Sequence, residues 1–299
     1  QISKWSNNGG MGALTCSTVH SDQHAVVFKD GSSSEVLFAN DGGVFRTTDI
    51  ANAATSDVIQ FKSDGYNVTQ FYACDLSQTA GENNFIAGAQ DNGSNHFTSP
   101  GLNNTTEVTG GDGGFCFIDK DNPNNQISSY VNVNYKVTTN NWASYTEVVS
   151  ISNKGKFINP AGLDSREDIL YCSYDVGQIY RGTDIFGTPV FNTVNVTGMT
   201  GEPSAFGIST YSTAGTSTIF VGSDAGELFK LTSAHSTPTI TNIGSALPTG
   251  NVSSIELGAS ENELLVTLSN YGISSIWYTT NGGSTWTDKQ GNLPDMPVR

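Results

Sequence analysis

Hydrophobic positions in this chain fall in short runs that alternate with small or polar side chains, and each run is closed by Gly, Asn, Asp, Ser or Thr. Alternation with a period of two puts successive side chains on opposite faces, which predicts half-buried strands joined by tight turns. The runs themselves repeat. The clearest copies are VLFANDGGVFRTTD (Val36–Asp49), ILYCSYDVGQIYRGTD (Ile169–Asp184), IFVGSDAGELFKLT (Ile219–Thr232) and LLVTLSNYGISSIWYTTNGGSTW (Leu264–Trp286). Weaker copies begin at Phe85 and Ile127. The anchors Val36, Phe85, Ile127, Ile169, Ile219 and Leu264 are 49, 42, 42, 50 and 45 residues apart.

Each period resolves into four strands. The first repeat reads HAVVFKD, VLFAND, GVFRTT and VIQFKS; the fifth reads SAFGIST, TIFVGSD, ELFKLT and TITNIG; the last reads VSSIELG, LLVTLS, SIWYTT and STWTDK. A lone four-stranded sheet would leave both faces bare, so neighbouring units must stack to bury them. The expected fold is therefore an all-β propeller, a single domain over residues 1–299 with six complete blades and seven in the full ring. Residues 1–18 read as a strand of an incomplete blade, and residues 296–299 as the start of a truncated one. Another chain or segment is the expected source of the strands that complete it.

Composition narrows the partners. With 28 Asp and Glu against 13 Lys and Arg, the net charge is −15, which repels phosphate backbones and anionic membranes and argues against nucleic acid. No apolar run is long enough to span a bilayer. Cys16, Cys74, Cys116 and Cys172 lack metal-knuckle spacing and each lies in an apolar strand pattern. Buried thiols are expected, with a Cys74–Cys116 disulfide as the alternative.

The segment Thr279-Thr-Asn281-Gly-Gly283-Ser-Thr-Trp286 resembles the Asp-box, [ST]-x-D-x-G-x-T-W, with Asn281 at the Asp position. Its role there is structural: Thr279, Asn281 and Gly283 shape a turn and Trp286 packs between blades. Degenerate copies stand at Thr47–Asp49 and Gly182–Asp184.

A second series runs VHSDQHAVVF, ANDGGVFRTTD, GYNVTQFYACD, AGAQDNGS and TGGDGGFCFID. It resembles large secreted propeller proteins of the Bacteroidetes type, with BNR/Asp-box repeats, in the superfamily that also holds sortilin/Vps10-like domains and family 74 xyloglucanases. The resemblance implies a secreted or cell-surface protein, cargo of the type IX secretion system, and a fragment of something longer.

On the residues themselves, His20, Asp22 and His24 alternate, which would aim two imidazoles and a carboxylate at one face as ligands for a divalent metal ion. Asp41, Gln90, Asp91 and Asp112 are expected to join them at the top face and channel. Asp119–Asn124 only superficially resembles a calcium loop and reads as a turn. If the chain were an enzyme, a glycoside hydrolase related to xyloglucanases or sialidases, Asp41 and Asp112 would be its acids, with Asp22, Asp91 and Asp175 nearby. The four arginines are too few and too scattered to support a sialidase triad. The favoured expectation is a non-catalytic module that recognises a glycan or a protein, with exposed aromatics such as Phe71, Tyr72, Tyr130, Tyr135, Trp142, Trp277 and Tyr278 available for stacking on sugars.

Overall fold

The computed structural model describes residues 19–53, 58–66, 69–101 and 105–299. The fold is a β-propeller: six four-stranded antiparallel sheets, each formed by four strands consecutive in the chain. The first blade comprises β1 (Gln23–Phe28), β2 (Val36–Asn40), β3 (Gly43–Thr47) and β4 (Gln60–Phe61). The second comprises β5 (Ala73–Leu76), β6 (Phe85–Gly88), β7 (Ser94–Phe97) and β8 (Thr106–Thr109). The third runs from β9 (Cys116–Ile118) through β10 (Gln126–Ser129) and β11 (Val133–Thr138) to β12 (Thr146–Ile151). The fourth holds β13 (Ala161–Asp164), β14 (Ile169–Asp175), β15 (Gln178–Thr183) and β16 (Val190–Asn195). The fifth holds β17 (Pro203–Ile208), β18 (Ile219–Ser223), β19 (Leu228–Thr232) and β20 (Thr239–Asn242), and the sixth β21 (Val252–Leu257), β22 (Leu264–Leu268), β23 (Ile276–Thr279) and β24 (Thr287–Asp288). The repeat anchors all lie in the second strand of their blades. No helix among the described residues is long and apolar enough to cross a membrane.

Blades are held together by what their second and third strands bury. Ile169, Tyr171 and Ile179 of the fourth blade pack on Ile219, Val221, Phe229 and Leu231 of the fifth. Phe220 and Leu228 of the fifth pack on Val252, Ile255, Leu264 and Val266 of the sixth. Similar clusters join the third blade to the fourth and the second to the third. The first blade differs: its cluster of Val19, Val36, Phe38, Phe45, Ala53 and Ile59 contains no residue of the second blade.

The Asp-box-like turn is built as its sequence predicts. Thr279 Oγ1 accepts from the amides of Asn281 and Gly283 at 3.2 and 3.1 Å, and Asn281 Oδ1 accepts from the Thr285 amide at 2.9 Å. Trp286 Nε1 donates across the blade boundary to Ile243 O at 2.9 Å. A further copy, unrecognised in the sequence, closes the third blade: Thr138 Oγ1 accepts from the Asn140 amide, and Asn140 Oδ1 from the Ser144 amide at 2.9 Å. Its Trp142 comes two residues after Asn140 rather than five, so the sequence pattern fails while the hydrogen bonds persist. The Asp119–Asn124 segment is a turn, with Asp119 buried and accepting from the Asp121 amide.

Of the three described cysteines, two follow expectation and one departs from it. Cys116 and Cys172 are buried free thiols, pushed up to about 12 by burial. Cys74, expected to be buried, is exposed on an open face of the second blade, and no disulfide links it to Cys116. Cys16 and residues 1–18 lie outside the described residues. At the other end, Ser253 Oγ donates to Val298 O at 2.6 Å. The equivalent serine of the fifth blade, Ser204, donates to Val252 O at the same 2.6 Å.

Candidate functional site

The predicted polar residues gather where the first blade meets the second. His20 and Asp22 lie in the approach to β1, and Asp41 follows β2 in the tight turn Asn40–Gly43. Asn40 Oδ1 accepts from the Gly42 amide at 3.0 Å, and Gly43 takes φ +118°, open to glycine and costly for other residues. A Cβ on Gly42 would stand 2.9 Å from His20 Cβ, so a glycine is what lets this turn close over the histidine.

Opposite, the turn Ala89–Gly93 joins β6 to β7 and carries Gln90, Asp91 and Asn92. Asp91 itself is left-handed at φ 61°. Glycines of the approach to β9 clamp this turn from behind: Gly93 N donates to Gly111 O at 2.7 Å and Gly113 N to Ala89 O at 2.8 Å. Side chains have no room there; a Cβ on Gly113 would come within 2.2 Å of Gly93 O. Asp112 completes the clamp by accepting the Asp91 amide at 3.1 Å.

Contacts across the seam are polar. His20 Nε2 lies 3.1 Å from Asp91 O, and the Asp22 amide donates to His20 Nδ1 at 3.2 Å. His24 does not join them. The strand bulges between Gln23 and Ala25, and the His24 ring turns to bond Asp41 instead. The cluster whose ligand atoms converge is His20, Asp22 and Asp91, within 4.8 Å of one another. Alternation alone mis-assigns the third member, because a bulge resets which face a side chain meets.

Electrostatics follow the geometry. The hydrogen bond and charge of Asp41 raise His24 above the ordinary imidazole value, and the His24 bond in turn holds Asp41 below the ordinary carboxyl range. Asp91 is pushed up to about 6 by burial, by a hydrogen bond to Asp41 and by the charge of Asp112. Asp112 thus sits behind the turn as a positioning group, while Asp91 takes the place beside Asp41.

A cleft of about 610 Å³ opens on this seam, within the size range of small-ligand sites. Tyr66, Tyr72 and Phe61 supply apolar surface, and Gln70, Gln90 and Asn92 supply amides. Tyr66 is 72% exposed and Tyr72 46%. Tyr72 is oriented by donating its hydroxyl to Gln90 Oε1 at 2.6 Å. Among the other aromatics, Tyr135 is fully buried and Tyr130, Trp142, Trp277 and Tyr278 are half-buried. Tyr66 and Gln70 carried no role in the sequence reading, although they stand inside the GYNVTQFYACD stretch; an aromatic flanked by amides was the available signal. Asp175 lies away from this seam, ion-paired with Lys154.

Solved structures similar to this chain are propellers of varied kinds. YCF48 from Cyanidioschyzon merolae aligns over 95% of this chain and 89% of its own at 12% identity, with a TM-score of 0.55. The propeller domain of Cps50 (Swd1) from Myceliophteria thermophila aligns over 77% and 70% at 10% identity, with a TM-score of 0.50. An ancestral GH74 enzyme aligns over 86% of this chain but only 36% of its own, at 13% identity and a TM-score of 0.52. At these identities the likeness establishes the fold alone. No protein-family model matches the chain, and no curated protein matches it in sequence.

Proposed function

We propose that this chain is a secreted or cell-surface recognition module that binds a glycan, without catalysis, in the cleft between its first two blades. The observation that carries the reading is one cleft in which exposed tyrosine rings stand beside amides and a carboxylate. A sugar presents an apolar ring face and a rim of hydroxyls. Tyr66 and Tyr72 match the first by stacking, and Gln70, Gln90, Asn92 and Asp41 match the second by hydrogen bonding. The acidic surface excludes anionic polymers as good ligands, which leaves neutral glycans favoured.

The hydrolase reading has a specific geometric difficulty. Paired carboxyl groups of glycosidases stand about 5–10 Å apart so that a glycosidic bond or a water fits between them. Asp41 is instead bonded to the His24 ring, and Asp112 is occupied by a backbone amide. The GH74 neighbour shares the propeller without lending its activity to this chain.

Residues 296–299 fit the start of an inner strand of a seventh blade, since Val298 receives from the sixth blade the serine hydrogen bond that Val252 receives from the fifth. We therefore read the module as part of a larger exported assembly, in keeping with the resemblance to type IX cargo.

Binding is tested by affinity electrophoresis in neutral polysaccharides, followed by calorimetry with oligosaccharides of any that retard the protein. Tyr66→Ala and Tyr72→Ala are each expected to weaken binding about tenfold. Unchanged binding in the double variant would remove the cleft from consideration. Release of reducing ends that is lost in Asp41→Asn would replace recognition by hydrolysis.

A further inference from the structure

The turn between the second and third strands places a carboxylate on the same end of most blades, and the molecule treats these carboxylates in two ways. In the fourth and fifth blades, lysines neutralise them. Lys154 pairs with Asp175, and Lys156 reaches Asp224 at 2.8 Å and Glu202 at 3.9 Å. In the first and second blades Asp22, Asp41, Asp91 and Asp112 converge, and among the described residues no lysine or arginine pairs with any of them. Their basic partners among the described residues are His20 and His24. Among the described residues this seam also lacks a shared apolar cluster. Among the described residues, four carboxylates with no paired lysine or arginine meet at a boundary that no shared apolar cluster spans, an arrangement that suits a counter-ion from solution.

We propose that His20, Asp22 and Asp91 bind one divalent transition-metal ion that ties the first blade to the second. Their ligand atoms lie within 4.8 Å of one another, and His20 Nδ1 is 3.7 Å from Asp22 Oδ2. Ligands of a bound zinc ion stand about 3–3.5 Å apart, so a side-chain adjustment of an ångström closes the shell. His20 Nδ1 accepts the Asp22 amide and Nε2 faces a carbonyl, so Nδ1 is the unprotonated nitrogen, and a metal takes its lone pair by displacing that amide hydrogen bond. An imidazole with two carboxylates suits zinc or manganese, whereas calcium and magnesium take all-oxygen shells. Asp41, held by His24, and Asp112, held by the Asp91 amide, remain outside the shell and add favourable charge.

This inference is independent of the glycan reading, and its test contains no sugar. The whole chain is stripped with EDTA and titrated with ZnCl2, MnCl2 and CaCl2 by calorimetry, with thermal melts alongside. One equivalent of zinc or manganese should bind and raise the melting temperature by several degrees. His20→Ala and Asp22→Asn should each bind at least tenfold more weakly, and Asp175→Asn should match the wild type. Asp22 is exposed at the surface, so its variant should keep the wild-type melt in EDTA and report on the metal alone. The proposal fails if neither zinc nor manganese binds, if only calcium binds, or if binding is undiminished in both His20→Ala and Asp22→Asn.

Discussion

The fourth and fifth blades and the first and second are joined by the same repeat and by opposite means. Between the fourth and fifth, Tyr171, Ile219, Val221, Phe229 and Leu231 form a dry core, and lysines cover the acidic turns above it. Between the first and second, acidic turns meet directly and a cleft remains open, while glycines of the approach to β9 brace the Asp91 turn from behind. A boundary that apolar burial secures leaves no room for a ligand. A boundary held by polar contacts keeps groups desolvated, aimed and accessible, at a cost in stability. The chain places its candidate site at a boundary that no shared apolar cluster of the described residues spans.

The strongest way to break this comparison is through the dry boundary. Phe229→Ala should destabilise the protein by about 3–5 kcal/mol through a cavity between blades, read as a lowered urea midpoint. A loss below about 1 kcal/mol would show that the fourth and fifth blades do not depend on this core.

Next in size, Gly113→Ala should cost about 1–3 kcal/mol by overpacking, because its Cβ would lie 2.2 Å from Gly93 O and 2.8 Å from the Ala89 amide. It should also displace the Asp91 turn, so ligand binding at the cleft should fall by more than the melting temperature suggests. Normal binding by a destabilised protein would separate the clamp from the site.

A smaller effect sharpens the role of like charge at a boundary that does have a core. At the junction of the third and fourth blades, burial and the charges of Asp119, Asp184, Asp121 and Asp164 push Asp168 up to about 6. Because the folded protein holds this proton more tightly than the unfolded chain does, Asp168 weakens the fold fully above pH 6. That penalty fades as pH falls from about 6 towards 4. Asp168→Asn keeps a residue suited to the left-handed φ of 50° and should stabilise the protein at pH 7.5 by roughly 1 kcal/mol after allowing for solvent screening. It should leave stability at pH 4 nearly unchanged. Equal effects of the substitution at both pH values would contradict this account.

Least of all, Lys156→Gln should cost about 0.5 kcal/mol or less, since its ion pairs are partly exposed, with the loss shrinking further in high salt. A cost of several kcal/mol would mean that lysine neutralisation, and not the core beneath it, joins these blades.

Much of the fold was legible because strands announce themselves locally. Val36, Ile169, Ile219 and Leu264 recur at blade spacing, and the turn residues between them admit few conformations, so four strands per repeat and six repeats could be read directly. The site was legible as a list of residues and illegible as a constellation. That His20, Asp22, Asp41, Asp91 and Asp112 share one seam depends on the first blade standing against the second, which no local pattern encodes. Two reversals show the limit. A bulge at His24 moved that imidazole from Asp22 to Asp41 and left Asp91 to complete the cluster. Cys74, apolar in its pattern, is exposed, an outcome set by what packs against its strand and not by the strand's own pattern. By itself the sequence determined what its periodicity and turn chemistry control: the strand order, the hairpins and the stacking of repeats. Tertiary structure alone decided which turns face which, where charge goes unneutralised and which boundary stays open, because those depend on distances between residues far apart in the chain.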